Sequence, residues 1–309
     1  MDEPSEHIPM VSIGLAVYNG DNYLEEAIDS ILGQTFEDFE LIISDNASTD
    51  RTDEIVRRYA AADTRIRYHR NEKNIGGANN ENLTFTLSRG KYFRLAAHDD
   101  VLAPTLLEAC VDVLERNPDV VLCYTATYEI DGDGKVVWEN RLRKGTATRP
   151  STRFAELAFR NHSCEPTYGL IRPEVLRKTR LQENYVDSDR VLLCELAMFG
   201  RFEELDTPLF YKRMHMKNIY VDWRARMAWF DPTWKGKVSF PNWLALRGLI
   251  RVVARAKISP WERARCALVT AWWALRYSLR LGKDLGVAAL MVLRRGRRTK
   301  DDRDVYNWE

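Results

Sequence analysis

Short apolar runs alternate along the chain with segments in which apolar positions recur every third or fourth residue. "VSIGLAV" (11–17) and "FELIISD" (39–45) have the length and continuity of strands buried on both faces. Between them, Leu24, Ala27, Ile28, Ile31 and Leu32 share one face of a helix predicted over 22–32. A second helix, carrying Ile55, Val56 and Tyr59, is predicted within "NASTDRTDEIVRRYA", with Ser48 or Thr49 as its cap. A strand near 66–69, a turn at Gly76-Gly77 and a helix over about 78–88 lead into "YFRLAAHDDVLAP", a strand that stops at Asp99-Asp100. Adjacent carboxylates repel and raise a pKa of the pair unless something positive compensates.

Pro104 is expected in the first turn of the next helix, which carries Leu106, Leu107, Cys110, Val113 and Leu114 and stops at Asn117-Pro118. "VVLCYTA" (120–126) is a further buried strand, and "EIDGDGKVVW" reads as a hairpin. A helix near 152–159, a short strand and turn in "YGLIRPEVL", a helix in "SDRVLLCELAMFG" and a last strand in "TPLFYKRMH" complete the pattern. The repeated strand–helix order predicts an α/β fold, a mostly parallel sheet with helices on both faces. Ligands of such sheets bind beyond the carboxyl ends of the strands, where Asp45 and Asp99-Asp100 both fall.

Beyond Lys217 the texture changes to a loop with Trp223, Trp229, Trp234 and Trp243, and then to amphipathic basic segments. The expected division is 1–217 for a catalytic domain and 218–309 for a Trp-rich loop and basic helical appendage. Within the first, 8–126 would serve the donor and 127–217 the acceptor. The net charge of +1 conceals an asymmetry: from Leu246 to Lys300 there are 14 Lys or Arg against Glu262 and Asp284. Five scattered cysteines without C-x-x-C spacing fit buried reduced thiols better than disulfides or a zinc site. No apolar run approaches the ~20 residues of a spanning helix, and the acidic opening "MDEPSEHIPM" has no signal-peptide character.

The ordered blocks "VSIGLAVYNGDNYLEEAIDSILGQTFEDFELIISDNASTDRT" and "NEKNIGGANNENLTFTLSRGKYFRLAAHDD" resemble the family 2 glycosyltransferases of the GT-A fold, over roughly the first 215 residues. The resemblance implies a Rossmann-like sheet and inverting transfer from a nucleotide-sugar (UDP-, dTDP- or GDP-linked) with Mn²⁺ or Mg²⁺. It implies that Val17, Tyr18, Asn19, Asp45, Asn74, Asn79 and Asp99 serve the donor, that Asp99, Asp100 and His215 serve the metal, and that Asp189 is the base, with Asp187 as its rival. His98 would pack beside the site, and Asn82 would line the pocket or simply be a polar helix position. Two positions differ from the family pattern, Ala97 where an acid is usual and Asn46 after Asp45. Each residue has a plainer use: Asp99-Asp100 as turn and helix cap, Asp45 as a strand-end turn residue, Asp189 as a helix-start charge.

The chemistry is consistent with these residue types. Charge grows on the departing diphosphate, and a cation held between carboxylates and phosphates neutralises it. The acceptor hydroxyl, on a glycan or lipid-linked molecule, needs a base. Residues 246–300, with Trp and Leu opposite Arg, predict contact with an anionic membrane surface. A second copy of the chain is another candidate partner, and nucleic acid is not expected. The expected location is the cytoplasm, at the inner face of the plasma membrane. The competing functional class is a non-catalytic nucleotide-sugar-binding or scaffolding subunit docked at the membrane.

Overall fold

The strand order begins β3-β2-β1-β4, all parallel, in the computed structural model, which describes residues 7–214, 223–235 and 237–295. These strands are β1 (Val11–Val17), β2 (Phe39–Asp45), β3 (Ile66–Arg70) and β4 (Tyr92–Ala96). All seven residues of β2 are buried, as its unbroken apolar run requires. The crossovers are α1 (Leu24–Leu32), α2 (Thr52–Ala62) and α3 (Gly77–Leu87). α1 seats Leu24, Ala27, Ile28 and Ile31 in the core. The chain leaves β1 toward β2 on one side and returns to β4 on the other, so a topological switch point lies beside the carboxyl end of β1. Val17 pairs with Asp45 and Leu15 with Ala96, which puts Asp45 and the Asp99-Asp100 turn on the same sheet edge.

The second half makes the nine-stranded sheet mixed. It contains β5 (Val101–Leu102), α4 (Leu106–Arg116), β6 (Val120–Ile130), β7 (Val136–Asn140), α5 (Pro150–Ala158), β8 (Leu170–Ile171), α6 (Pro173–Leu176), α7 (Ser188–Leu196) and β9 (Arg201–Arg213). β8 lies antiparallel between β4 and β6, and β6 and β9 run parallel. β6–β7 is the expected hairpin, but its first strand is eleven residues long. The short β5 pairs with β9, so the turn holding Asp99 and Asp100 is pinned between β4 and the end of β9.

Four helices follow: α8 (Trp223–Phe230), α9 (Pro241–Arg255), α10 (Pro260–Arg276) and α11 (Ser278–Arg295). α9 packs on α7 and α10 on α5, with α11 against both α9 and α10, rather than trailing away. Gly248 of α9 lies against Tyr185 and Val191, where a Cβ would meet the Tyr185 hydroxyl at 2.7 Å. Trp273 of α10 is 1% exposed and donates its indole N–H to the Ala158 carbonyl at 3.0 Å. α8 covers the Asn74–Gly77 turn. Gly76 has φ +89°, and a Cβ there would meet the Phe230 carbonyl at 2.3 Å, so both backbone shape and close approach demand glycine.

Candidate functional site

The Asp99-Asp100 turn has its positive partners built in. Arg213, at the end of β9, donates its backbone N–H to Asp100 Oδ1 at 2.9 Å and its Nε–H to the Asp99 carbonyl at 2.9 Å. The same guanidinium reaches the Asp131 and Gly132 carbonyls, Glu26 Oε2 at 2.6 Å and the face of Tyr23 at 4.2 Å. Its side chain is 1% exposed. Arg213 therefore staples α1, the hairpin tip and the carboxylate turn together. Behind them, Arg94 is buried over Phe210, with Nε and Nη2 unpaired among the described residues. Burial lowers Arg94 to about 10, against the pull of Cys110 and Asp100.

Asp100 is 7% exposed. Burial first, and Asp99 second, raise its carboxyl to about 7, partly offset by Arg213, Lys212 and Arg94. Lys212 in turn reaches Glu165 Oε1 at 2.7 Å; Glu165, then Asp100, hold its ammonium charged against burial. His98 packs on Gly20, with its ring 4.0 Å from Asp99 at the nearest N···O approach. His215 lies outside the described residues.

Asp45 is wholly buried and accepts from Ser48 N at 2.8 Å, Tyr68 Oη at 3.1 Å and Arg70 Nη1 at 2.9 Å. These bonds shape the turn after β2, in which Ala47 has φ +62°. Asn19 (φ +50°) binds the same turn through Ser48 Oγ and Thr49 N. Val17 is 2% exposed and Tyr18 44%, so Tyr18 presents the open face of this corner. Asn46 and Asn74 bond each other at 3.0 Å, and Asn74 also accepts from Gly76 N at 2.8 Å. Asn79 is tied to the Ile75 carbonyl, while Asn82 bonds both the N–H and the carbonyl of Gln182 across 100 residues of chain. Ser48 is thus committed to Asn19, and α2 starts at Thr52, whose N–H is accepted by Asp50 rather than by Ser48 or Thr49.

Asp189 stands in the first turn of α7, accepting from Arg190 N at 2.7 Å. Burial, then Asp187, raises its pKa. Asp187 has φ +70° and forms an ion pair with Arg160, so the rival carboxylate is already matched with a cation. Two residues that sequence reasoning missed join the group. Glu81 of α3 is raised to about 8 by burial and by Asp189. Tyr168 is pushed well up by burial and then by the charges of Glu81, Asp100, Asp99 and Asp189. Neither follows a local pattern; only the pairing of β8 between β4 and β6 brings Tyr168 here.

Glu81 predicts a pH-dependent stability. Its folded pKa of about 8 lies above the ordinary 4.5, so between these values the native state keeps a proton that the unfolded chain has released. Stability should therefore fall as pH rises from about 5 to 8. Glu81→Gln should flatten that fall, with a gain over wild type of about 2–4 kcal/mol at pH 8 and little at pH 5. Urea unfolding of both proteins across this range measures it, and parallel curves would rule out a protonated Glu81.

The metal chemistry of this donor set is oxygen-rich and small. Among the described residues no group of three or more His, Cys, Asp or Glu forms a metal cage. Two adjacent carboxylates suit a hard divalent cation that completes its shell with phosphate and water.

The profile described as glycosyl transferase family 2 matches residues 12–180. An uncharacterised glycosyltransferase of Methanocaldococcus jannaschii is 28% identical over 247 residues, covering 76% of this chain and 82% of its own. The 1–349 fragment of S. aureus TarS in complex with UDP-GlcNAc superposes with a TM-score of 0.66 at 16% identity, over 92% of this chain and 82% of its own. A mannosyltransferase of Pyrobaculum calidifontis, in complex with GDP-Man and Mn²⁺, gives 0.56 at 16% identity, over 95% and 77%.

Proposed function

The chain belongs to glycosyl transferase family 2, and from that we propose a metal-dependent, inverting enzyme that moves a sugar from a nucleoside-diphosphate donor to a hydroxyl of a glycan or lipid-linked acceptor. One observation carries this reading: the register of β1, β2 and β4 brings Asp45 and the Asp99-Asp100 turn, held by Arg213, to one sheet edge beside the switch point. Asp99 and Asp100 would hold Mn²⁺ or Mg²⁺ with the donor diphosphate. The cation supplies charge neutralisation on the leaving phosphate when bound.

The chain's own residues account for the remaining work. Tyr18, Asn19 and the turn shaped by Asp45 form the nucleoside corner, with Asn74 and Asn79 bracing its far wall. Arg213 fixes the carboxylate turn from behind. Asp189, without the short ion pair that occupies Asp187, takes the proton of the acceptor hydroxyl, and a single base opposite the leaving group gives inversion. The TarS complex with UDP-GlcNAc and the mannosyltransferase complex with GDP-Man and Mn²⁺ support a nucleotide-sugar donor on this fold.

A melting-temperature screen of UDP-, dTDP- and GDP-sugars, with and without Mn²⁺ or Mg²⁺, tests the proposal. One donor should raise the melting temperature by several degrees, and more with the cation, because a ligand selective for the folded state stabilises it. The same donor should then lose its sugar to an acceptor with inverted anomeric configuration. No shift with any donor, in either condition, would sink it.

A further inference from the structure

α10 is apolar on both sides. Its inner face buries Cys266, Thr270 and Trp273. Its outer face carries Trp261, Leu268, Trp272 and Leu275, which are 67, 70, 57 and 65% exposed, and Leu279 continues the row into α11 at 89%. The intervals of seven, four and three residues place Trp261, Leu268, Trp272 and Leu275 on one stripe of α10, and Leu279 follows just past the Tyr277 break between the helices. Single exposed apolar residues need no explanation, but several large ones on one helix face do. Leu290, eleven residues past Leu279 and 57% exposed, extends it along α11.

The charge around this row has one sign. Arg276, Arg280 and Lys283 are exposed along it. The two acids of this region are turned inward. Glu262 accepts from Ser151 N at 2.9 Å, and Asp284 accepts from the backbone N and Nδ2 of Asn242 at 2.9 and 2.7 Å. Residues 246–290 therefore offer solvent Trp, Leu, Lys and Arg, with no exposed carboxylate among them.

We propose that the outer face of α10 and α11 is a docking surface for an anionic lipid bilayer, lying in its plane with Trp261, Leu268, Trp272, Leu275 and Leu279 in the acyl boundary and the arginines at the headgroups. A bilayer presents acidic headgroups and hydrocarbon side by side, as this face requires. A second copy fits poorly. A self-complementary contact would bring two identical faces, each carrying Arg276, Arg280 and Lys283, together with no exposed acid on either to pair them. No described helix is long and apolar enough to cross a membrane, so the contact is superficial. The surface connects to the acceptor half, because α9 packs on both α10 and α7, the helix that carries Asp189. Docking is independent of the catalytic assignment and can fail alone.

Vesicle co-sedimentation of the full chain tests it, with phosphatidylglycerol–phosphatidylcholine vesicles against phosphatidylcholine alone. Wild type should sediment with the anionic vesicles at low salt, be released by high salt, and leave the neutral vesicles empty. Arg276→Gln and Arg280→Gln should each weaken partition about fivefold. Leu268→Gln with Trp272→Gln should abolish it, with far-ultraviolet circular dichroism and donor-induced melting shifts unchanged. Absence of binding at low salt, or equal binding to neutral vesicles, would overturn the proposal. So would self-association in sedimentation velocity that the Leu268/Trp272 variant removes while vesicle binding stays absent.

Discussion

Asp189→Asn is expected to lower the transfer rate about 10²–10⁴-fold, the usual cost of a lost general base, with donor affinity unchanged. The carboxyl of Asp189 is raised by burial and by Asp187, which brings its basicity closer to working pH. Its own N-terminal turn orients it through Arg190 N. The variant should also lose the acidic limb of the pH–rate profile, because that limb reports ionisation of the missing group. Asp187→Asn is the control. Asparagine tolerates the left-handed backbone at φ +70°, so the turn survives while the ion pair with Arg160 goes. Its cost should be in stability, about 1–2 kcal/mol, and only modest in rate. A wild-type rate in Asp189→Asn, or a larger rate loss in Asp187→Asn, would reverse the two roles.

The sequence revealed those parts of this site that local chemistry writes. β1, β2 and β4 are continuous apolar runs, and the acids at the ends of β2 and β4 follow from where the runs stop. Arg213 was invisible by the same logic. In "FYKRMH" it is one basic residue among several, and its meaning comes from Glu26, 187 residues away. Glu81 reads as an ordinary polar helix position until α7 brings Asp189 beside it. Local rules also erred where a distant partner outbid a near one. Ser48 is a good cap by propensity, but Asn19 N claims its hydroxyl, and Asp50 accepts from Thr52 N instead. Pro104 precedes α4 rather than opening it, because its carbonyl is needed by Thr35 N at 2.8 Å. Similarly, the amphipathic basic pattern of the tail was readable, but the inward turn of Glu262 and Asp284 was not, since Ser151 and Asn242 hold them.

Asp100→Asn should separate stability from activity. In metal-free buffer Asp100 is a buried carboxyl beside a second one, raised to about 7 from an ordinary 3.8, first by burial and then by Asp99. A group raised in this way stabilises the fold least when it must ionise, so its contribution declines as pH climbs from about 4 through 7. The amide is nearly isosteric, and its carbonyl oxygen can still accept from Arg213 N. The variant should therefore unfold no earlier than wild type at pH 5 and resist denaturant by about 1–3 kcal/mol more at pH 8. Its transfer rate should drop by about 10²–10³, because the charge that would hold the cation at the diphosphate is gone. Its melting temperature with donor should no longer respond to Mn²⁺. Asp99→Asn supplies the contrast. The Asp99 side chain is 19% exposed against 7% residue exposure for Asp100, so neutralising it relieves less burial and should give a smaller gain in stability. Turnover by Asp100→Asn at the wild-type rate, or wild-type turnover in excess chelator, would exclude the metal role of the pair. A loss of stability at pH 8 in Asp100→Asn would instead show that Arg94, Lys212 and Arg213 already compensate its charge in full, leaving no strain for a cation to relieve.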